Sequence, residues 1–194
     1  MTKELLLIML AAALINNLVL GQFLGFGFFA GESAKIKSAA CMGALLTALI
    51  CLTSALTALL YNLVLLPYNL LYLNTFIFVV LIAAAVRTLA LVLEKWAHKY
   101  YLGLKDKLWL LMANCAVLGV ALINARAGFD ILGSIVHAFF LGLGFLVVIV
   151  ILASIRERTV YNNIPASFKG MPVILLVSGL MAMAILGLSG LLSL

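Results

Sequence analysis

The chain has 194 residues, of which 67% are hydrophobic and 9% are charged. Soluble domains carry roughly 25% charged residues, so the composition excludes a soluble globular domain and predicts an integral membrane protein. The net charge of +6 does not suggest nucleic acid as a partner, because excess Lys and Arg in a membrane protein usually orient the chain. Cys41, Cys51 and Cys115 all lie in apolar segments, which does not indicate a secreted disulfide framework.

Six apolar segments follow one another, at about 5–28, 38–61, 70–93, 108–124, 131–153 and 171–193. A helix needs roughly 20 apolar residues to cross the bilayer core. The second, third, fifth and sixth segments meet that length, whereas the first and fourth are interrupted. We therefore expect an all-α membrane protein with six transmembrane helices, of which helices one and four are broken near mid-membrane.

Polar residues and glycines cause these two interruptions. Asn16-Asn17 and then Gly21, Gly25, Gly27 and Gly31 interrupt the first segment, and Asn114 interrupts the fourth. An Asn inside a membrane costs free energy unless its amide is satisfied, and glycine permits a break or a close approach. The glycines alone are equally consistent with tight helix packing. Two interrupted segments at equivalent places in two halves indicate a site near the membrane midplane.

A short motif occurs twice. The stretch 114–119 reads Asn-Cys-Ala-Val-Leu-Gly, and the stretch 17–21 reads Asn-Leu-Val-Leu-Gly. Their Val-Leu-Gly units lie 98 positions apart (Val19 and Val117), which is half of the chain, and Leu66-Pro67 and Ile164-Pro165 share that offset. We predict one membrane domain, 1–194, built of repeat one (about 1–97) and repeat two (about 98–194). Because three spans are an odd number, the two repeats are expected to be inverted.

The positive charges predict the orientation. One side of the expected topology carries only Lys3 and Arg126, and the other carries the ten remaining Lys and Arg residues. Positive loops usually face the cytoplasm. We expect both termini outside and the charged loops in the cytoplasm.

Cys115 follows Asn114 at the interruption of the fourth segment. A Cys in a membrane helix is usually a small apolar residue, but this position favours a ligand role. One thiolate cannot hold a metal centre alone, so a cluster needs further Cys ligands from elsewhere. Cys41 and Cys51 are separated by roughly 15 Å along a helix and are expected to pack in the core.

Two further features have a structural and a functional interpretation. His137 lies in the fifth segment and is expected to be a hydrogen-bonded structural residue, with proton relay or partner binding as the alternative. The stretch Arg156-Glu157-Arg158 is expected to be a solvated cytoplasmic cap, with docking of an acidic partner as the alternative.

Several stretches together resemble a known family. The chain is similar to the A-type subunits of Rnf ion-translocating electron-transport complexes, and also to the paired D and E subunits of sodium-pumping NADH:quinone reductases. The matching stretches are Asn16-Asn17-x-Val19-Leu20-x-x-Phe23-Leu24-Gly25, Asn114 to Leu122, Ile155 to Arg158, Pro165-x-x-Phe168-x-Gly170, Gly179-Leu180-Met181 and Ser189-Gly190-Leu191.

The resemblance implies a membrane subunit of an ion-translocating ferredoxin:NAD oxidoreductase complex. In that family a 2Fe-2S cluster at mid-membrane is shared with a homologous inverted subunit of the E type, and it relays electrons across the membrane. Partner subunits of the B, C, D and G types carry the other redox centres and the nucleotide site. The implied location is the cytoplasmic (inner) membrane of a bacterium or archaeon, and the chain is not expected to be an enzyme alone.

The chain departs from the family pattern at one implied ligand. Cys115 matches a family ligand, whereas Gly27 stands where the family has its first Cys, and Phe28 stands where Pro usually follows. The resemblance then implies that Cys115 binds metal and that Asn114 and Gly25, Phe26 and Gly27 line the cofactor site. Three explanations of Gly27 stay open: three Cys with a substitute ligand, loss of the cluster, or an altered sequence.

Two other functions stand beside the electron-relay hypothesis. One is a structural subunit of the same complex without a normal cluster, which Gly27 favours. The other is a small secondary transporter, since inverted repeats and broken helices are common in that class. The lack of buried charge and the count of six spans argue against a transporter.

Overall fold

The computed structural model describes residues 17–33, 35–68, 71–96, 111, 114–159 and 165–192. These residues form six α-helices and no strand, which confirms the all-α expectation for this part of the chain. The helices are α1 (Phe26–Glu32), α2 (Ile36–Leu60), α3 (Asn74–Trp96), α4 (Cys115–Ala127), α5 (Ile131–Thr159) and α6 (Met171–Leu192).

Three helical stretches are long and apolar enough to cross a membrane: Ile36–Leu65, Asn74–Leu91 and Ile131–Thr159. Two shorter apolar stretches, Cys115–Ala127 and Met171–Gly187, accompany them. These lengths support a membrane protein. Residues 1–16 and 97–110 lie outside the described residues, so the count of six spans, the breaks in helices one and four, the inverted repeat and the sidedness stay predictions.

The first described helix lies where the sequence predicted the end of a span and then a loop near 29–37. Gly25 adopts a left-handed conformation (φ 76°, ψ 15°) directly before α1. Glycine reaches that conformation without steric cost, so the backbone can turn there and start a new helix at Phe26. Phe28 and Phe29 are buried, and both rings contact Phe145. This aromatic contact explains why residues 26–32 form a packed helix.

The chain divides into two compact units. The first comprises residues 1–47 and 140–194, and the second comprises residues 48–139. The core of the first unit contains large apolar side chains that are almost fully buried: Phe29, Met42, Leu46, Phe145, Ile149 and Leu152.

Two helical segments of the first unit approach each other closely at Thr47 and Gly142. The Thr47 hydroxyl donates to the carbonyl of Gly43 at 2.8 Å and to that of Gly142 at 3.0 Å. A methyl group on Gly142 would lie 2.6 Å from the Thr47 Cγ2 atom. Only glycine fits at this contact, so the small residue is needed for packing.

The second unit contains a buried cluster of Leu65, Phe78, Ala121 and Ala125. These residues come from the end of the α2 stretch, from α3 and from α4. The stretch after α2 continues as a π-helical turn at Tyr61–Leu65, in which the Leu66 amide donates to the carbonyl of Tyr61 at 3.0 Å. Single π-helical turns often occur at functional sites.

The stretch Arg156-Glu157-Arg158 is not simply a solvated cap. The Arg156 guanidinium donates to the carbonyl of Ala30 and to the Ser33 hydroxyl, both at 2.7 Å. The Glu157 carboxylate accepts from the Ile36 amide at 3.0 Å. The expectation of a solvated cap is therefore wrong for the first two residues, which fix the end of α1 and the start of α2. Arg158 is exposed.

Candidate functional site

Asn17, the asparagine of the first motif, stabilises a non-helical turn in the first unit. Its Oδ1 atom accepts from the amides of Val19 at 3.0 Å and Leu20 at 3.4 Å. Its Nδ2 atom donates to the carbonyl of Gly144 at 2.9 Å, so both polar atoms of the Asn17 side chain, which is only 1% exposed, have a partner. An Asn side chain that bonds the amide two residues later is a standard way to stabilise a turn.

The turn leads into Gly25, Phe26 and Gly27, which were expected to line the cofactor site. The Phe23 and Leu24 amides donate to the carbonyls of Val19 and Leu18, each at 2.9 Å. Phe23 has a positive φ of 55°, which is uncommon for a residue with a side chain. The backbone therefore folds tightly before Gly25.

The three residues expected to line the cofactor site are consecutive in sequence and differ in solvent exposure. Gly25 is buried, Phe26 is half-buried and Gly27 is exposed. The ring of Phe26 lies between those of Phe23 and Phe29, with centroids 6.0 and 5.9 Å away. A Cβ atom on Gly27 would meet nothing within 4 Å. The position has space for a side chain but offers no ligand of its own.

In the second unit, Asn114 caps helix α4. Its backbone is extended (φ −77°, ψ 111°), and its Oδ1 atom accepts from the amide of Ala116 at 3.0 Å. Asn is among the preferred N-cap residues because its side chain satisfies a helix amide that has no partner in the helix. Cys115 is then the first helical residue and is exposed. The motif therefore places the thiol at the positive end of a helix dipole.

The two motif asparagines differ at their Nδ2 atoms. Asn114 is only 6% exposed, and its Nδ2 atom has no hydrogen-bond partner among the described residues. A buried amide without a partner costs about 1–3 kcal/mol, and such a group in a native structure calls for an explanation such as a bound ligand. This donor belongs to the residue that precedes Cys115, whereas the Nδ2 atom of Asn17 bonds to Gly144.

The remaining cysteines do not complete a metal site in the described residues. Cys41 is exposed and Cys51 is half-buried, so the expectation that Cys41 packs in the core is wrong. No group of three or more His, Cys, Asp or Glu side chains that could hold a metal occurs within the described ranges. Asn114 and Cys115 are adjacent in the second unit, and Gly25, Phe26 and Gly27 are adjacent in the first.

A buried polar cluster in the second unit was not predicted from the sequence. Asn124 contacts His137 through its Oδ1 atom, at 2.6 Å from Nδ1. Its Nδ2 atom donates to the hydroxyl of Ser54 and to the carbonyl of Ser134. His137 is therefore hydrogen-bonded, as expected. The signal available in the sequence was a second Asn in an apolar segment, but nothing indicated its partners.

Comparison with known proteins covers almost the whole chain. Residues 5–192 match the family model described as Rnf-Nqr subunit, membrane protein. A relative from Azoarcus sp. strain BH72, which is the A-type subunit of an ion-translocating oxidoreductase complex, is 41% identical over 97% of this chain and 98% of its own length.

Two further relatives carry more specific names. The A-type subunit of the Na(+)-translocating ferredoxin:NAD(+) oxidoreductase complex of Acetobacterium woodii is 40% identical over 96% of this chain and 97% of its own length. The corresponding subunit of the proton-translocating ferredoxin:NAD(+) oxidoreductase complex of Clostridium ljungdahlii is 37% identical over 97% of both chains. The expected resemblance is confirmed, and the chain belongs to the Rnf-Nqr family of membrane subunits.

Proposed function

We propose that the chain is a membrane subunit of an ion-translocating ferredoxin:NAD oxidoreductase complex. The observation that carries this proposal is the similarity to A-type subunits of such complexes along nearly their full length. The long apolar helices α2, α3 and α5 support a place in the cytoplasmic membrane. Partners of the E, B, C, D and G types, with both termini outside, complete the proposed assembly.

Within that complex, we propose that the chain contributes to electron relay through Cys115. Its thiol lies at the first position of α4, where the helix dipole favours a negatively charged group. The buried Nδ2 donor of Asn114 is suited to hydrogen-bond a sulfur atom, and such bonds tune the potentials of iron–sulfur clusters. A 2Fe-2S centre shared with a homologous inverted subunit supplies one-electron transfer when bound.

The two residues at the implied ligand positions, Cys115 and Gly27, do not fit that centre equally. Cys115 fits as a ligand, because thiolates hold iron–sulfur clusters. Gly27 has no side chain that could bind iron, although the space around it is open. The described part of this chain therefore offers one thiolate at the motif, and the other ligands must come from a partner or from a substitute group.

Electron paramagnetic resonance of the purified, reduced complex tests the role of Cys115. We expect a two-iron signal in the wild type that is lost or altered in Cys115→Ser, together with a lower iron content. Cys41→Ser is the matched control, because Cys41 is also exposed and has no proposed role. A signal that is unchanged in Cys115→Ser would contradict the assignment.

A structural subunit without a cluster is the second candidate, and Gly27 favours it. It predicts that Cys115→Ser and the wild type have the same iron content and the same rate of ferredoxin oxidation by NAD. The same purified complexes distinguish the two candidates.

A further inference from the structure

The polar cluster in the second unit consists of Asn124, His137, Ser54 and Ser134, and three of these residues are almost fully buried. Asn124 is 3% exposed, and Ser54 and Ser134 are each 1% exposed. The Ser54 hydroxyl donates to the carbonyl of Ser134 at 3.0 Å while it accepts from Asn124 Nδ2 at 2.5 Å. Two hydrogen bonds thus hold the Nδ2 atom of Asn124, and its Oδ1 atom contacts His137.

This network determines which way the Asn124 amide points. The Ser134 carbonyl can only accept a hydrogen bond, so the Asn124 atom at 3.2 Å from it must be Nδ2. The opposite atom, Oδ1, is then the one that lies 2.6 Å from His137 Nδ1. Because an amide oxygen can only accept, Nδ1 of His137 must carry a hydrogen. In the neutral imidazole the basic nitrogen is therefore Nε2.

A cavity adjoins the cluster. It has a volume of about 10 Å³ measured as space for the centre of a water molecule, and its polar lining comes from Thr57, Tyr61, Asn124 and Ser134. That volume is close to what a single water molecule requires. Tyr61 belongs to the π-helical turn. Asn124, which contacts His137, therefore also lines a space with room for one water molecule.

We propose that His137 is a reversible proton-binding site of this subunit, with Asn124 and Ser54 as its positioning residues. A proton from water adds to the lone pair of Nε2 and forms the imidazolium. The Nδ1–H bond to Asn124 Oδ1 then becomes charge-assisted, and such bonds are about twice as strong as neutral ones. Release reverses these steps, and no electron is transferred at His137.

The described groups around His137 do not include one that would neutralise its charge. From α4 it meets the neutral amide of Asn124, and the ring of Phe129 lies 5.2 Å away. Tyr61 is the titratable group that lines the adjoining cavity, and the charged residues on either side of Phe129 in the sequence, Arg126 and Asp130, are exposed. No ion pair of His137 occurs within the described parts of the chain, so each proton bound there changes the local charge by one.

Solid-state nitrogen NMR of the complex labelled with ¹⁵N-histidine tests the site directly. We expect one histidine that is neutral with Nδ1 protonated at alkaline pH and becomes doubly protonated as the pH is lowered. This resonance should be lost in His137→Gln, which keeps an N–H donor for Asn124 but cannot titrate. It should be retained in His98→Gln, which replaces the other histidine of this chain. If the wild type contains no histidine of this tautomer, or if the resonance does not titrate, the proposal is wrong.

A second variant tests the positioning residues. Asn124→Leu removes the acceptor of the Nδ1 hydrogen, so we expect the neutral histidine to lose its Nδ1–H tautomer in favour of Nε2–H. A merely structural role for Asn124 predicts an unchanged tautomer. Ser54→Ala is expected to give a smaller shift in the same direction, because the Ser134 carbonyl still holds Asn124 Nδ2.

The link to ion movement rests on the proposed function and needs a separate measurement. In vesicles that contain the complex, ferredoxin oxidation by NAD is followed together with proton movement. We expect less proton movement per electron in His137→Gln than in His98→Gln. Equal values would overturn the link. If the wild type does not transfer electrons to NAD, the proposed function fails, while the NMR titration still decides whether His137 binds a proton.

Discussion

The Nδ2 atom of Asn17 donates to the carbonyl oxygen of Gly144 at 2.9 Å, across 127 positions of sequence. This bond joins the first motif to helix α5. The same side chain also holds the turn at Val19, so one amide connects the local turn with the packing of the first unit.

The first prediction concerns this amide. Asn17→Ala removes the turn bonds and the bond to Gly144, and we expect a loss of about 1–3 kcal/mol in stability. Asn17→Asp should be worse, because it buries a charge and sets a carboxylate oxygen against the Gly144 carbonyl. Thermal denaturation of the detergent-solubilised protein measures both changes. The exposed neighbour Gln22→Ala is the control, and an Asp variant more stable than the Ala variant would contradict this account.

The second prediction concerns Gly142. Gly142→Ala brings a methyl group within 2.6 Å of Thr47 Cγ2, and such overpacking typically costs about 1–3 kcal/mol. Thr47→Ser removes that methyl and should restore part of the stability in the double variant. Gly179→Ala is the matched helical control, because a Cβ there meets nothing within 4 Å. No rescue by Thr47→Ser would show that another contact is responsible.

The third prediction concerns Arg156. Arg156→Gln removes the cation whose two bonds hold Ala30 and Ser33, and we expect a loss of about 1–2 kcal/mol for these partly exposed bonds. Proteolysis in the segment 30–36 should become faster. Arg156→Lys should be intermediate, since Lys keeps the charge but not the planar fork. Arg158→Gln, at an exposed position, should behave as the wild type, and equal effects of the two Gln variants would contradict the distinction.

The fourth prediction concerns the missing thiol. Gly27→Cys is expected to fold normally, because a Cβ at this position is unobstructed. If the site is of the family type, the added thiolate raises the iron content of the complex and strengthens its two-iron signal. Gly31→Cys is the matched control in the same short helix, with equal space around it. An equal gain in both variants would indicate adventitious iron.

The sequence predicted the helices well where apolar length alone decides them. Segments two and five correspond to α2 and α5, although α5 continues to Thr159 because Arg156 and Glu157 bond to the protein instead of to solvent. Helix α1 was not predicted, since its formation depends on a contact with Phe145 that is remote in sequence.

The candidate site was predictable only in its local part. The Asn-Cys motif indicated a backbone interruption, and Asn114 is the cap of the helix that begins there. Neither the lack of a partner for Asn114 Nδ2 among the described residues nor the partners of His137 were predictable, because both depend on which remote groups come within hydrogen-bond distance. Motif spacing carries no information about such contacts.

The bond between Arg156 and Ala30 also has a consequence for the order of synthesis. Its partners are 126 positions apart, which at about 5–20 residues per second corresponds to roughly 6–25 s of translation. The end of α1 therefore waits for α5 to be made before this bond can hold it. During that interval the nascent first motif lacks its Gly144 partner as well, so these two contacts with α5 become possible only after α5 has been made.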